Sequence, residues 1–198
     1  WTALSAVLAV GMWIVLSGVV STFLYFTGLR LVGAASDSTA GQTAWFAYIN
    51  LWTQLATLLA QGLLARRVMR VAGVGGALAV LPLLASAGFA VLAAMPALAA
   101  FTIVNALFRA AQQGIAGPAE QTLFTVLPQQ HKYKAKSFLD TCGYRGGDAL
   151  GAYFERFLAI AGFGLLPLAG AVLALSSLWM LLSSFLGRRQ ARLAASQP

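Results

Sequence analysis

Residues 3–27 read ALSAVLAVGMWIVLSGVVSTFLYFT. No charged side chain interrupts the run, and it exceeds the ~20 predominantly apolar residues that a helix needs to cross the hydrocarbon core of a bilayer. Working outward, the same character returns at 44–64, 74–95, 98–117, 135–158 and 165–187. The separators are the polar SDSTAGQ (36–42), the basic ARRVMRVAG (65–73), Pro96, the turn LPQQHKYK (127–134) and the short link 160–164. Hydropathy alone would start the fifth span near Ala149; treating LPQQHKYK as the turn moves that start back to residue 135. The expected fold is all-α: a single domain of six transmembrane helices with a tail at 188–198.

Composition leads to the same class. Of 198 residues, 60% are hydrophobic and 9% charged, against about 25% charged in a soluble domain. Such a chain lacks the polar surface to cover itself in water. The net charge of +8 is distributed as topology signals rather than as a basic patch interleaved with aromatics, so no nucleic-acid partner is expected. Arg66, Arg67 and Arg70 fall in the second connection, Lys132, Lys134 and Lys136 in the fourth, and Arg188, Arg189 and Arg192 in the tail. On the other side only Arg30 falls in a connection. By the positive-inside rule both ends of the segment face the cytoplasm. The chain opens on Trp1 rather than Met, so further sequence is expected upstream.

Several chemistries are disfavoured. Cys142 and His131 are the sole cysteine and histidine, which leaves no disulfide framework and speaks against a Cys/His metal site. No nucleophile–base pair stands out and no GxxxxGK[ST] loop is present, so neither an enzyme nor a cofactor is expected.

Polar residues inside the spans are the candidates for function. Asn50, Gln54, Thr57 and Gln61 share one face of the second span, and Asn105, Arg109 and Gln112/Gln113 one face of the fourth. The fifth carries Asp140, Tyr144 and Asp148 at successive i+4 steps, with Glu155 seven residues further, beside the ladder Gly143, Gly147, Gly151. Interhelical hydrogen bonding accounts for amide stripes at roughly 0.6 kcal/mol per contact, and glycines let helix backbones approach. Buried charge is costlier. Arg109, deep in its span, and Asp148 are expected to line an aqueous cavity or to pair with each other. Glu155 and Arg156 lie nearer the outer end, where long side chains reach the surface.

Two stretches resemble known transporters. GLLARRVMRV (62–71) is similar to the short cytoplasmic-loop signature of the major facilitator superfamily. PAEQTLFTVLPQQHKYKAKSFLDTCGYRGGDALGAY (118–153), with LFTVLP, KYKAK, FLDT and YRGGDALGA, resembles bacterial members of the ATP:ADP antiporter (nucleotide exchange transporter) family. STFLYF (21–26) and Ala65-Arg66-Arg67 fit the same resemblance, which covers essentially the whole chain as the C-terminal six helices of a twelve-helix protein. It implies a 3+3 helix repeat, a substrate cavity between two six-helix halves, and alternating access in a bacterial inner membrane. Gly117 and Glu120 stand where that family often carries basic residues, placing a negative charge at the cytoplasmic mouth.

The expected function is therefore secondary transport of an anionic, nucleotide-like solute such as ATP or ADP. The expected partners are that solute, the bilayer and an N-terminal six-helix half. Arg109 and Arg145 would meet acidic oxygens, Asn50, Gln54 and Asn105 would add neutral hydrogen bonds, and Asp140, Tyr144, Asp148 and Glu120 would gate or couple. Arg145 is within reach of Asp148 or Asp140. Proton-coupled transport of an unrelated solute, with Asp148 or Asp140 as carrier, and a non-transporting scaffold are the alternatives.

Overall fold

A computed structural model describes residues 3–124, 139–162 and 164–195. The lysines at 132, 134 and 136, His131 and the expected start of the fifth span at 135 lie outside the described residues. Within them the chain is helical, without strands: α1 (Ala3–Ala35), α2 (Thr39–Leu59), α3 (Ala65–Ala94), α4 (Leu98–Ala111), α5 (Gly117–Phe124), α6 (Tyr144–Ile160) and α7 (Leu165–Ala195). Three π-helical turns, Ala60–Leu64, Gln112–Ala116 and Leu139–Gly143, join α2 to α3, join α4 to α5 and lead into α6. Among the described residues three stretches are long and apolar enough to cross a membrane, Leu8–Ala35, Arg66–Ala94 and Leu165–Gln190, as expected of a membrane protein.

Helix ends depart from the hydropathy limits for local reasons. α1 continues past residue 27 to Ala35, so Arg30 sits on a helix and not in a connection. The reversal into α2 is confined to SDS, where the Ser38 hydroxyl accepts the Gly41 N–H at 3.1 Å as an N-cap. The basic stretch before the third span is itself helical from Ala65. The break comes at Gly73, whose φ of 65° and ψ of −173° are open to glycine and strained for other residues. The helix expected at 98–117 carries on through its π turn into α5 and continues past 117 to Phe124.

Three helix pairs dominate the packing: α3 with α7, α1 with α6, and α2 with α4. Their contacts fix direction. Gly18 meets Gly147, and Thr22 meets Gly151, so α1 and α6 run parallel. Thr53 meets Asn105, and Ala60 meets Gly114, so α2 and α4 also run parallel. Gly75 meets Gly187, and Leu78 meets Ser183, so α3 and α7 run antiparallel. That last register brings the arginines at the start of α3 to the end of the molecule where Arg188 and Arg189 lie.

The apolar core sits among α1, α3 and α7. Trp13 and Trp179 are buried with ring centroids 5.5 Å apart, and Trp13 Nε1–H donates to Ser183 Oγ at 3.0 Å. The close α1–α6 approach depends on missing side chains: a methyl group on Gly147 would lie 2.6 Å from the Val15 carbonyl oxygen, and one on Gly151 would lie 2.9 Å from Thr22 Cβ.

Candidate functional site

Two open clefts meet at Arg109. The first, about 560 Å³, lies between α1 and α6 and is walled by Ser21, Thr22, Tyr25, Arg109, Tyr144 and Asp148 among others. The second, about 330 Å³, lies between α2 and α4, with Asn50, Gln54, Asn105, Gln113, Phe46 and Phe101 in its wall. Arg109 and Tyr25 belong to both. Arg109 projects from the last turn of α4, just before the π turn that begins at Gln112. That turn inserts an extra residue per hydrogen-bonded ring and re-aims the side chains that follow it. It fits because Gly114, within this turn, comes into contact with Ala60, where the π turn Ala60–Leu64 begins.

Polar groups around the first cleft largely satisfy one another. Thr22 donates to Asp148 Oδ1 at 3.1 Å, and Gln112 Nε2 donates to Ser17 at 3.0 Å and Ser21 at 3.2 Å. Tyr144 donates its phenol proton to Glu120 Oε2 at 2.9 Å. Asp148 lies near enough to act on the Arg109 charge, but the two close no ion pair; among the described residues the salt bridge is Arg30 with Glu155. Arg109 is thus a half-buried cation facing a cleft, attracted by a carboxylate without being bonded to it.

The structure brings Arg109, Asp148, Tyr144, Asn50, Gln54 and Asn105 to this pair of clefts. It does not bring Arg145, which is exposed, lines neither cleft and makes no ion pair with Asp148. The expected reach of Arg145 to Asp148 is corrected on this point. Three residues separate the two, about 60° around a helix, so they stand at neighbouring positions and yet do not pair. The backbone of Asp140 lies in the turn Leu139–Gly143, while its side chain lies outside the described part. Glu120 is 6% exposed. Its carboxylate is buried and accepts the Tyr144 phenol proton.

Sequence reasoning missed two features. Glu155, read as a surface-reaching residue, is 7% exposed and takes the Arg30 guanidinium as its partner. The hydroxyls of Ser17, Ser21 and Thr22 on α1 were passed over within an apolar run; Ser17 and Ser21, at i and i+4, share a face, and Thr22 joins Ser21 in the cleft wall. Asn105 is held by its own hydrogen bond, Nδ2 to Thr53 Oγ1 at 3.0 Å, so it acts partly as an interhelical strut.

No protein-family model, curated protein or solved structure matches this chain.

Proposed function

We propose that the chain is one six-helix half of a secondary transporter that moves an anionic, nucleotide-like solute by alternating access. The observation that carries this reading is Arg109: a cation in the interior of a membrane helix, at the junction of two open polar clefts, with no bonded counter-ion. Unbonded charge at that depth is costly unless water or a ligand meets it. A solute carboxylate or phosphate supplies charge-assisted hydrogen bonds, and Asp148, tied to Thr22 close by, limits how tightly an anion is held.

The helix pairing supports the architecture. Count α1, α2, α3, α4–α5, α6 and α7 as six rods. Exchanging the first with the fourth, the second with the fifth and the third with the sixth carries the α1–α6 contact onto α4–α2. The same exchange carries α3–α7 onto itself. This is the relation expected of a 3+3 repeat. The parallel and antiparallel directions also agree with six alternating crossings, both ends of the segment lying on the basic, cytoplasmic side of a bacterial inner membrane. The resemblance of 118–153 to ATP:ADP antiporters names the solute class, and a second six-helix half would close the cavity.

Asp148 lies exposed in a cleft, which favours proton-coupled transport as the second reading. One experiment separates the two. The intact protein is reconstituted into liposomes that are loaded with ADP or left empty, and uptake of labelled ATP is followed. Exchange predicts uptake that requires internal ADP and disappears in Arg109→Ala. Uptake that follows a pH gradient and ignores ADP would favour the second reading, and a correctly folded protein that takes up no nucleotide would refute exchange.

A further inference from the structure

A third cavity, about 710 Å³, lies between α1 and α6 beyond the first cleft. Phe26 and Ala152 stand in the walls of both, so the space around Arg109 and Asp148 continues into it. The charged residues of its wall are Glu155 and Arg156. Glu155 is buried and takes the Arg30 guanidinium as its partner. Arg156 is exposed and forms no ion pair among the described residues. The Arg30–Glu155 pair cancels its own charge, which leaves the cavity with the positive charge of Arg156. Tyr153, also in the wall, adds a phenol donor.

Arg156 comes eight residues after Asp148, about 12 Å further along α6, and α6 runs parallel to α1. In an arrangement of six alternating crossings, that direction leads away from the basic, cytoplasmic end. Arg109 and Arg156 are therefore two cations on one connected space, the second nearer its outer end, with Phe26 in the wall where the two parts join. A guanidinium stays charged and offers a fork of donors that matches phosphate and carboxylate oxygens. Such a charge at the mouth of a cleft raises the local concentration of anions and speeds their capture. We infer that Arg156 is a second anion site, an outer station that takes the acidic group of a solute before it passes Phe26 to reach Arg109. The Arg30–Glu155 pair serves this site by keeping the Glu155 carboxylate from neutralising Arg156. The inference rests on the transport reading and adds a residue and a route on the non-cytoplasmic side.

The test reads the charge of the cavity without requiring transport. Ala159→Cys and, independently, Ala152→Cys, about one turn to either side of Arg156, are made in a Cys142→Ser background. The intact protein is placed in nanodiscs of zwitterionic lipid. Labelling rates are measured with two membrane-impermeant methanethiosulfonates, one bearing a sulfonate and the other a trimethylammonium group. Arg156→Gln should lower the sulfonate-to-ammonium rate ratio by about tenfold, and Arg156→Lys should retain it. Arg145→Gln, on the same helix but outside the cavity, should leave the ratio unchanged. Pyrophosphate should slow the sulfonate reagent in the parent and not in Arg156→Gln. A ratio that ignores Arg156→Gln, or thiols inert to both reagents at both positions, overturns the inference. So does labelling slowed by added phosphatidylglycerol but not by pyrophosphate, which would make Arg156 a lipid-headgroup anchor. Uptake without these effects rejects the outer site and spares the transport reading; the effects without uptake do the reverse.

Discussion

α1 meets α6 and α3 meets α7 by the same device, a glycine on each side where the backbones touch, yet the surroundings of the two contacts share little. Beside Gly75 and Gly187 stand Leu78, Trp179 and Ser183, all buried, and the interhelical side-chain bonds nearby run from Trp13 to Ser183 and from Ser183 to the Leu78 carbonyl. Beside Gly18, Gly147 and Gly151 stand Thr22 with Asp148, Tyr144 with Glu120, and Arg30 with Glu155. A close glycine crossing is thus a way of bringing any surfaces together, and the neighbouring side chains decide whether the result is a dry seam or a polar wall. The α3–α7 seam is scaffold. The α1–α6 contact sets the position of one side of the Arg109 clefts.

The largest expected effect is steric. Gly147→Leu drives a side chain into the Val15 carbonyl, 2.6 Å from the first added carbon. Overpacking of this kind costs about 1–3 kcal/mol, more where backbone rather than side chain must move. It should lower the thermal midpoint in detergent clearly, and Gly151→Leu should do nearly as much. If the two crossings are built alike, Gly187→Leu lowers it comparably. A normal midpoint for Gly147→Leu would mean that α1 and α6 do not touch as described.

Next comes charge. Removing the Glu155 carboxylate with Glu155→Ala loses a charge-assisted hydrogen bond worth roughly 1.5–3 kcal/mol, moderated because Arg30 is partly exposed and can reach water or headgroups. A double-mutant cycle with Arg30→Ala measures the coupling directly, and a coupling near zero would remove the pair from the structure's supports. In the dry seam the corresponding change is smaller. Trp13→Phe removes the bond to Ser183, at about 1 kcal/mol, together with part of the buried indole's packing, and should leave the clefts untouched. Asn105→Ala is expected to be mildest, near 0.6 kcal/mol as for an average hydrogen bond between membrane helices. A loss of several kcal/mol would make Asn105 a structural keystone instead.

Much of this arrangement is legible in the sequence because hydropathy and helical spacing are local. The apolar run at 3–27 gives α1, the spacing of Asn50 with Gln54 and of Asn105 with Arg109 gives faces, and YRGGDALGA gives a glycine seam beside an acidic face. What escapes is set by distant partners. Arg30 reads as a connection residue until Glu155, 125 positions away, is found beside it. The π turns at Ala60–Leu64 and Gln112–Ala116 fit against each other through Ala60 and Gly114, a contact with no local sequence signature. Glu120 carries no local mark of burial, because what covers it includes Tyr144, from another helix. Arg145 shows the reverse error: its i, i+3 spacing to Asp148 suggested a pair, and no ion pair forms.

The contrast between a wet polar wall and a dry seam is open to direct measurement in a membrane. Asp148→Cys in the α1–α6 cleft and Ser183→Cys in the α3–α7 seam are each made in the Cys142→Ser background and labelled with a membrane-impermeant maleimide in lipid nanodiscs. A cavity at Arg109 predicts ready labelling at 148 and none at 183. Equal inertness at both positions would contradict it, leaving Arg109 in a closed helical bundle with no path for a solute.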